Sequence, residues 1–398
     1  MIIGVPREIC PGETRVALTP ANLTVLSKKS DVSFLVEPGA GEAAGYPDQE
    51  YQDAGATLAE RAEIFNKADI ILQVQTAGSN LENGDQDLDS IAEGKLLIGM
   101  MDPLANPKFA SELAGRKITG LALELIPRIT RAQAMDVLSS MAMLAGYKAV
   151  LIAAAESNRM FPMSMTAAGT LNPSRLFVMG AGVAGLQACA TAKRLGAIVE
   201  AYDVRPAARE QILSVGAKPV ELDLDTGQAE GQGGYAKAQG EDFLKRQREL
   251  MTEVVAGMDV IITTAAVPGA KSPILVTEDM VKAMKPGSVI VDLAAERGGN
   301  CELTEEGKTV VKHGVTIMGP ANVPSSIAYH ASQMYGKNLE NLLGLLIDED
   351  GKLQLDFQDE IFTNTVVAHN GDVPQTRMRE LLELPPLKSD EQDSTEQA

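Results

Sequence analysis

Short apolar runs alternate along this chain with longer segments in which apolar residues recur at helical spacing. Toward the N-terminus, Ile2–Val5, Val32–Val36, Asp69–Val74, Leu96–Gly99 and Ile118–Leu123 read as strands, with Pro20–Lys29 and Pro107–Leu113 as helices between them. A second series follows: Arg175–Met179, Ile198–Tyr202, Pro219–Leu222, Val260–Thr264, Val289–Leu293 and Val315–Met318. Strands that alternate with helices in this way form parallel sheets covered on both faces. The pattern predicts an α/β chain with two Rossmann-like, doubly wound parallel-sheet domains joined by long helices.

The connectors are legible too. Ala132–Arg159 is rich in Ala and Met, lacks Pro, and reads as one long helix; its Met135, Met141 and Met143 are core packing. Ser325–Leu346 reads as a second, and Gln354–His369 is expected to return to the first domain. Residues 1–137 and 329–385 then make a first, discontinuous domain, and residues 138–328 a second. Residues 386–398, rich in Ser, Asp, Glu and Gln, read as a disordered tail.

Composition narrows the functions. A net charge of −19 argues against nucleic acid and against direct contact with anionic lipid, while suiting either a basic protein partner or plain solvation. Cys10, Cys189 and Cys301 lie far apart, and His313, His330 and His369 do not approach them at metal-ligand spacing. No metal site is expected, and the thiols are expected reduced. The N-terminus lacks the pattern of a signal peptide, and no uncharged apolar stretch reaches the roughly 18 residues a membrane span needs.

The chemistry concentrates after Arg175–Met179. That strand runs into Gly180-Ala181-Gly182-Val183-Ala184-Gly185, followed by a helical segment. In such a turn the first Gly permits the bend, the second lets the backbone approach a pyrophosphate, and the third lets helix and strand pack closely. The phosphates lie at the helix N-terminus. Asp203 closes the next strand, where a carboxylate accepts hydrogen bonds from ribose hydroxyls and repels a 2′-phosphate. NAD(H) is therefore expected over NADP(H), although Arg205 stands close by. Residues 225–240 hold several Gly and one aromatic, Tyr235, and fit either a surface loop or a mobile flap.

The chain resembles the NAD(H)-binding subunit, or domain I, of proton-translocating NAD(P) transhydrogenases, over essentially its whole length to about residue 380. Gly4-Val-Pro-Arg-Glu and Glu13-Thr-Arg-Val-Ala-Leu-Thr-Pro20 match a superfamily shared with alanine dehydrogenases. Pro127–Ser140, Gly233–Lys237 and Val291–Cys301 are distinctive of transhydrogenases. The resemblance implies that Arg128, Gln133, Asp136 and Ser139 border the nicotinamide and that Tyr235, with Gly234, sits on a flap. It also implies that Val204, Arg205, Thr264, Ala265 and Val267 join the cofactor-binding set. Read as helix, Gln133, Asp136 and Ser139 fall three apart, so that each pair shares a face.

The alternative within the superfamily is an alanine dehydrogenase, which needs acid/base groups beside the reacting carbon. In those enzymes a Lys occupies the strand position of Gln73, a His follows the next strand where this chain reads Gly99-Met-Met-Asp-Pro103, and an Asp stands at Glu296. Only Arg15 is kept. Hydride transfer between two nicotinamides needs none of these groups. With one dinucleotide fingerprint in the chain, the resemblance implies NADP(H) on a partner subunit, membrane-spanning partner subunits and a homodimer. It places the chain on the cytoplasmic side of the inner membrane, held there by partner proteins. A non-enzymatic NAD(H) sensor is a third reading, and one that would not need the Arg128–Ser139 cluster.

Overall fold

The computed structural model describes residues 1–222, 241–266 and 269–387. Its strands, in chain order, are β1 (Ile2–Val5), β2 (Ser33–Val36), β3 (Thr57–Leu58), β4 (Ile70–Gln75), β5 (Leu96–Met100), β6 (Thr119–Ala122), β7 (Ser164–Thr166) and β8 (Gly169–Leu171). They continue with β9 (Arg175–Met179), β10 (Ile198–Tyr202), β11 (Lys218–Pro219), β12 (Val260–Thr263), β13 (Val289–Asp292), β14 (Thr309–Lys312), β15 (Val315–Met318) and β16 (Val366–Ala368). The chain divides into two compact units, Met1–Ser140 with Ala328–Ala398, and Met141–Ile327.

The first unit is built on a seven-stranded sheet in the order β16-β6-β5-β4-β1-β2-β3. All neighbours pair in parallel except β16, which runs antiparallel to β6. β16 lies inside the stretch expected to return here. β4 is buried through Val74, as its unbroken apolar run requires of a strand covered on both faces. Pro20 opens helix Pro20–Lys29 at a position where a missing N–H costs nothing, and Lys28 and Lys29 close it beside the negative end of the helix dipole. Asn22 Oδ1 accepts from the Thr19 backbone at 3.0 Å, completing a capping box.

The second unit is a seven-stranded sheet in the order β11-β10-β9-β12-β13-β15-β14, with β7 and β8 as a separate hairpin. Alternate residues of its strands feed two cores. Leu176, Val178, Val260, Ile262, Val289 and Val291 pack on one face. Phe177, Met179, Ile261 and Ile290 pack on the other. The apolar pattern predicts six strands here. The seventh, β14, is antiparallel and carries exposed Thr309 and Lys312, so it lacks the apolar run that marks the others.

One expectation is corrected. Ala132–Arg159 is not a single helix: a tight helical segment covers Thr130–Met135, Asp136 turns extended at φ −73° and ψ 93°, and the α-helix runs Val137–Glu156. An Asp favours such a break because its side chain caps the next turn. Likewise α-helix begins at Ala328, not Ser325, after a tight turn over Val323–Ile327.

Helix Val137–Glu156 is, by length and hydropathy alone, apolar enough to cross a membrane, the one such helix among the described residues. Lys148 interrupts it, so it does not meet the stricter requirement of an uncharged run. Ala149, Val150 and Ala153 of this helix belong to the second unit's core. A Cβ on Gly146 would lie 2.0 Å from the Ala184 carbonyl oxygen, so the helix packs tightly on the start of helix Val183–Arg194.

Candidate dinucleotide site

In the second unit, Gly180 leaves β9 at φ +100°, a conformation that L side chains rarely adopt. Its N–H donates to the Tyr202 carbonyl at 2.8 Å, and its carbonyl accepts from Thr264 Oγ1 at 3.0 Å. A Cβ on Gly185 would stand 1.8 Å from the Gly180 carbonyl oxygen, so the helix can meet the turn only with Gly there. Gly182 differs: a Cβ on it would meet nothing within 4 Å. The protein itself gives no packing reason for that Gly, which fits a place kept clear for a ligand. Gly182 is the N-cap of helix Val183–Arg194. N–H groups in the first turn of a helix lack intrahelical acceptors and favour an anion.

Asp203 follows β10. Its Oδ2 accepts from the Ala181 N–H at 2.7 Å, and its Oδ1 from the Arg205 N–H at 2.9 Å. The Arg205 guanidinium adds Nε to Oδ1 and Nη2 to Oδ2, both at 2.9 Å. Val204 lies between them, partly buried. Thr264 and Ala265 follow β12 at the same end of the sheet, and Thr264 N–H donates to the Met179 carbonyl at 2.9 Å. Gly234, Tyr235 and Val267 lie outside the described residues, as do residues 388–398 of the expected tail.

Two residues that the sequence marks only as members of a motif hold this end of the sheet. Asp292 is fully buried at the end of β13. It accepts from Thr263 Oγ1 (2.8 Å), Thr304 Oγ1 (2.7 Å), and the N–H groups of Ala294 (3.0 Å), Asn300 (2.8 Å) and Cys301 (3.0 Å). The last two donors reach it because Gly298 and Gly299 turn the chain at φ +89° and +77°. Asn300, also fully buried, clamps Ala265, accepting from its N–H at 2.9 Å and donating to its carbonyl at 2.8 Å. An acid at the C-terminal end of an apolar strand, followed by Gly-Gly-Asn, is the signal that could have found them.

In the first unit, Asp136 gathers part of the expected cluster. It accepts from Ser139 Oγ at 2.6 Å and Ser139 N–H at 2.9 Å, and Arg128 Nε stands 3.9 Å away. The expectation that Gln133, Asp136 and Ser139 share one helix face is corrected: Asp136 caps the helix from outside it. The exposed Gln133 lies on the preceding turn, where its carbonyl accepts from Asp136 N–H at 3.3 Å. Arg131 fastens this segment by a two-pronged pair to Asp359, at 2.8 and 2.6 Å, and Asn338 donates to the Ala134 carbonyl at 2.8 Å.

Gln73 Nε2 donates to Asp87 at 2.8 Å, and Asp87 also takes Arg61 in a two-pronged pair at 2.8 and 2.6 Å. Arg15 is buried and paired with Glu13 through Nε (2.8 Å) and Nη2 (2.6 Å). Nearby, Glu8 accepts from the N–H groups of Val74 (2.6 Å) and Gln75 (3.1 Å). Burial, and then the charge of Glu13, push the Glu8 carboxyl up from its usual 4.5 to about 8. The folded chain therefore keeps a proton between pH 4.5 and 8 that the unfolded chain releases, so this group's contribution to stability falls as pH rises through that window. Glu8→Gln removes the effect. Its stability relative to the unaltered chain is expected to rise with pH between 4.5 and 8 in urea denaturation; parallel curves would contradict the assignment.

A glycine turn at a helix N-terminus, a carboxylate closing the adjacent strand and two parallel-sheet units define an NAD-binding oxidoreductase fold of the two-domain Rossmann-like class. Residues 4–145 match the alanine dehydrogenase/PNT N-terminal domain, and residues 149–376 the alanine dehydrogenase/PNT C-terminal domain. An NAD(P) transhydrogenase alpha subunit of Rhodospirillum rubrum is 48% identical over 378 residues, 94% of this chain and 97% of that protein. The crystal structure of transhydrogenase from Sinorhizobium meliloti is 42% identical, with a TM-score of 0.81, covering 95% of this chain and 100% of that one. Alanine dehydrogenase of Bacillus subtilis is 30% identical over 335 residues, 82% of this chain and 80% of that protein. The chain belongs to the alanine dehydrogenase/PNT family, with the NAD(P) transhydrogenase alpha subunits.

Proposed function

We propose that this chain is the NAD(H)-binding component of a proton-translocating NAD(P) transhydrogenase. NADH bound at the glycine turn supplies a hydride to NADP⁺ held on a partner subunit, and membrane-spanning subunits couple the transfer to proton movement. The observation that carries this reading is Gln73. It stands where an alanine dehydrogenase has its Lys, and its amide is engaged in the Asp87–Arg61 network. The loop after β5 offers Met100, Met101 and Asp102 and no His. A site without acid/base equipment suits a transfer that neither takes nor gives a proton at the reacting carbons.

What remains for the protein is to hold two nicotinamides within about 3–3.5 Å of each other and to exclude water. Gly180, Gly182, Val183, Ala184 and Gly185 would receive the pyrophosphate, and Asp203, with Val204 and Arg205, the adenosine ribose. Thr264, Ala265 and Val267 would border the nicotinamide ribose. Arg128, Gln133, Asp136 and Ser139 would orient the nicotinamide, with Gly234 and Tyr235 closing over it. The chain would act as a homodimer, peripheral to the cytoplasmic face of the inner membrane through its partner subunits.

The test is reconstitution. Mixed with an NADP(H)-binding partner domain, the chain is expected to pass hydride from NADH to an NADP⁺ analogue, and neither protein to do so alone. Gln133→Ala should slow transfer about tenfold while changing NADH affinity less, because orientation acts on rate more than on binding. Pyruvate formation from alanine and NAD⁺ would instead establish the alanine dehydrogenase reading.

A further inference from the structure

The Asp203–Arg205 pair carries more than the choice of NAD(H). A carboxylate offers roughly four acceptor positions. At Asp203 they are matched by protein donors: the N–H groups of Ala181 and Arg205, and Nε and Nη2 of Arg205. The two side chains are 7% and 15% exposed, so the pair is largely withdrawn from water. The backbone donors are fixed by the turn and the strand end. The guanidinium is the donor pair that can leave.

A ribose 2′,3′-diol brings two O–H donors and can replace Nε and Nη2 one for one. A 2′-phosphate brings negative charge and no donor, so it cannot make that exchange, and it is repelled by the carboxylate. Freed from Asp203, however, Arg205 would be a planar, always-charged fork beside the 2′-oxygen, the geometry that binds phosphate in two-pronged fashion.

Resting on the reading that the adenosine ribose binds at Asp203, we infer that Arg205 is a masked 2′-phosphate-binding cation and that Asp203 is the mask. Asp203 excludes NADP(H) in two ways: by repulsion, and by holding a nearby cation that would welcome the phosphate. Selectivity at this site is then a property of the pair, and removing the acid converts the site instead of merely emptying it.

The experiment titrates four proteins with NADH and NADPH by calorimetry: the unaltered chain, Asp203→Ser, Asp203→Asn and Asp203→Ser/Arg205→Gln. Asp203→Asn keeps an acceptor for the Ala181 N–H, which guards against local unfolding in the Ser variant. The unaltered chain is expected to bind NADH and not NADPH. Both single variants should gain NADPH affinity by about tenfold or more, falling steeply with salt as phosphate–Arg pairing does, and the double variant should lose the gain. Equal NADPH binding by the double and single variants, or folded single variants without any gain, would overturn the inference. Failure of the unaltered chain to bind NADH would instead overturn the reading beneath it, and the inference with it.

Discussion

Gly182→Ala is expected to fold as the unaltered chain does and to bind NADH about 100-fold more weakly, a loss of roughly 2–3 kcal/mol. The two halves of that statement come from different facts. A methyl group on Gly182 would meet no protein atom within 4 Å. The residue's φ of −75° and ψ of −167° suit any L residue, so the fold has no objection. Stability should stay within about 0.5 kcal/mol, or rise slightly because Ala restricts the unfolded chain. The methyl would instead stand where a pyrophosphate must approach the backbone. Gly185→Ala should do the opposite. Its Cβ would lie 1.8 Å from the Gly180 carbonyl oxygen, a main-chain atom that cannot swing aside. Helix Val183–Arg194 would have to retreat from the turn, at a cost of about 1–3 kcal/mol or more. Urea denaturation and NADH calorimetry on both variants separate the effects. Unchanged NADH affinity in Gly182→Ala would mean that the pyrophosphate does not rest on this turn.

The same contrast shows what a sequence can and cannot disclose. The parallel strands are legible because a strand covered on both faces must be apolar throughout, and β9, β10 and β15 match their expected limits to the residue. The glycine turn is legible because only Gly satisfies both a φ of +100° at Gly180 and the close approach at Gly185. What fails is continuity. Asp136 lies in a run that composition alone makes helical, yet its carboxylate caps the helix that follows and breaks the one before. Edge strand β14 carries polar residues that solvent tolerates, so nothing in its pattern stands out. The state of Asp203 is hidden for another reason. Arg205 can be seen beside it in sequence, but whether that guanidinium faces solvent or grips the carboxylate is a matter of side-chain direction, which spacing does not encode. Asp292 is hidden similarly, since its donors come from β12, from the loop beyond the Gly298–Gly299 turn and from Thr304.

Asp292→Ala is expected to cost the second unit about 4–5 kcal/mol, near the top of the range for single substitutions. The carboxylate is fully buried and serves two threonine hydroxyls and three backbone N–H groups. The hydroxyls can rotate toward other acceptors; the N–H groups cannot. Each buried donor left without an acceptor costs about 1–3 kcal/mol, and the three lie together, so partial relaxation at one does not relieve the next. Loss of the Asn300 anchor should also loosen Ala265, whose N–H and carbonyl Asn300 clamps at 2.9 and 2.8 Å. Asn300→Ala tests that link alone. It leaves Asp292 with its backbone donors intact, so it should destabilise less while still lowering NADH affinity, by about tenfold if Thr264–Ala265 borders the nicotinamide ribose. Denaturation curves and NADH titrations of the two variants therefore have to diverge: the larger stability loss belongs to Asp292→Ala, and Asn300→Ala should show a binding defect out of proportion to its stability. An Asp292→Ala protein within about 1 kcal/mol of the unaltered chain would show that the N–H groups find other acceptors and that this carboxylate does not hold the end of the sheet.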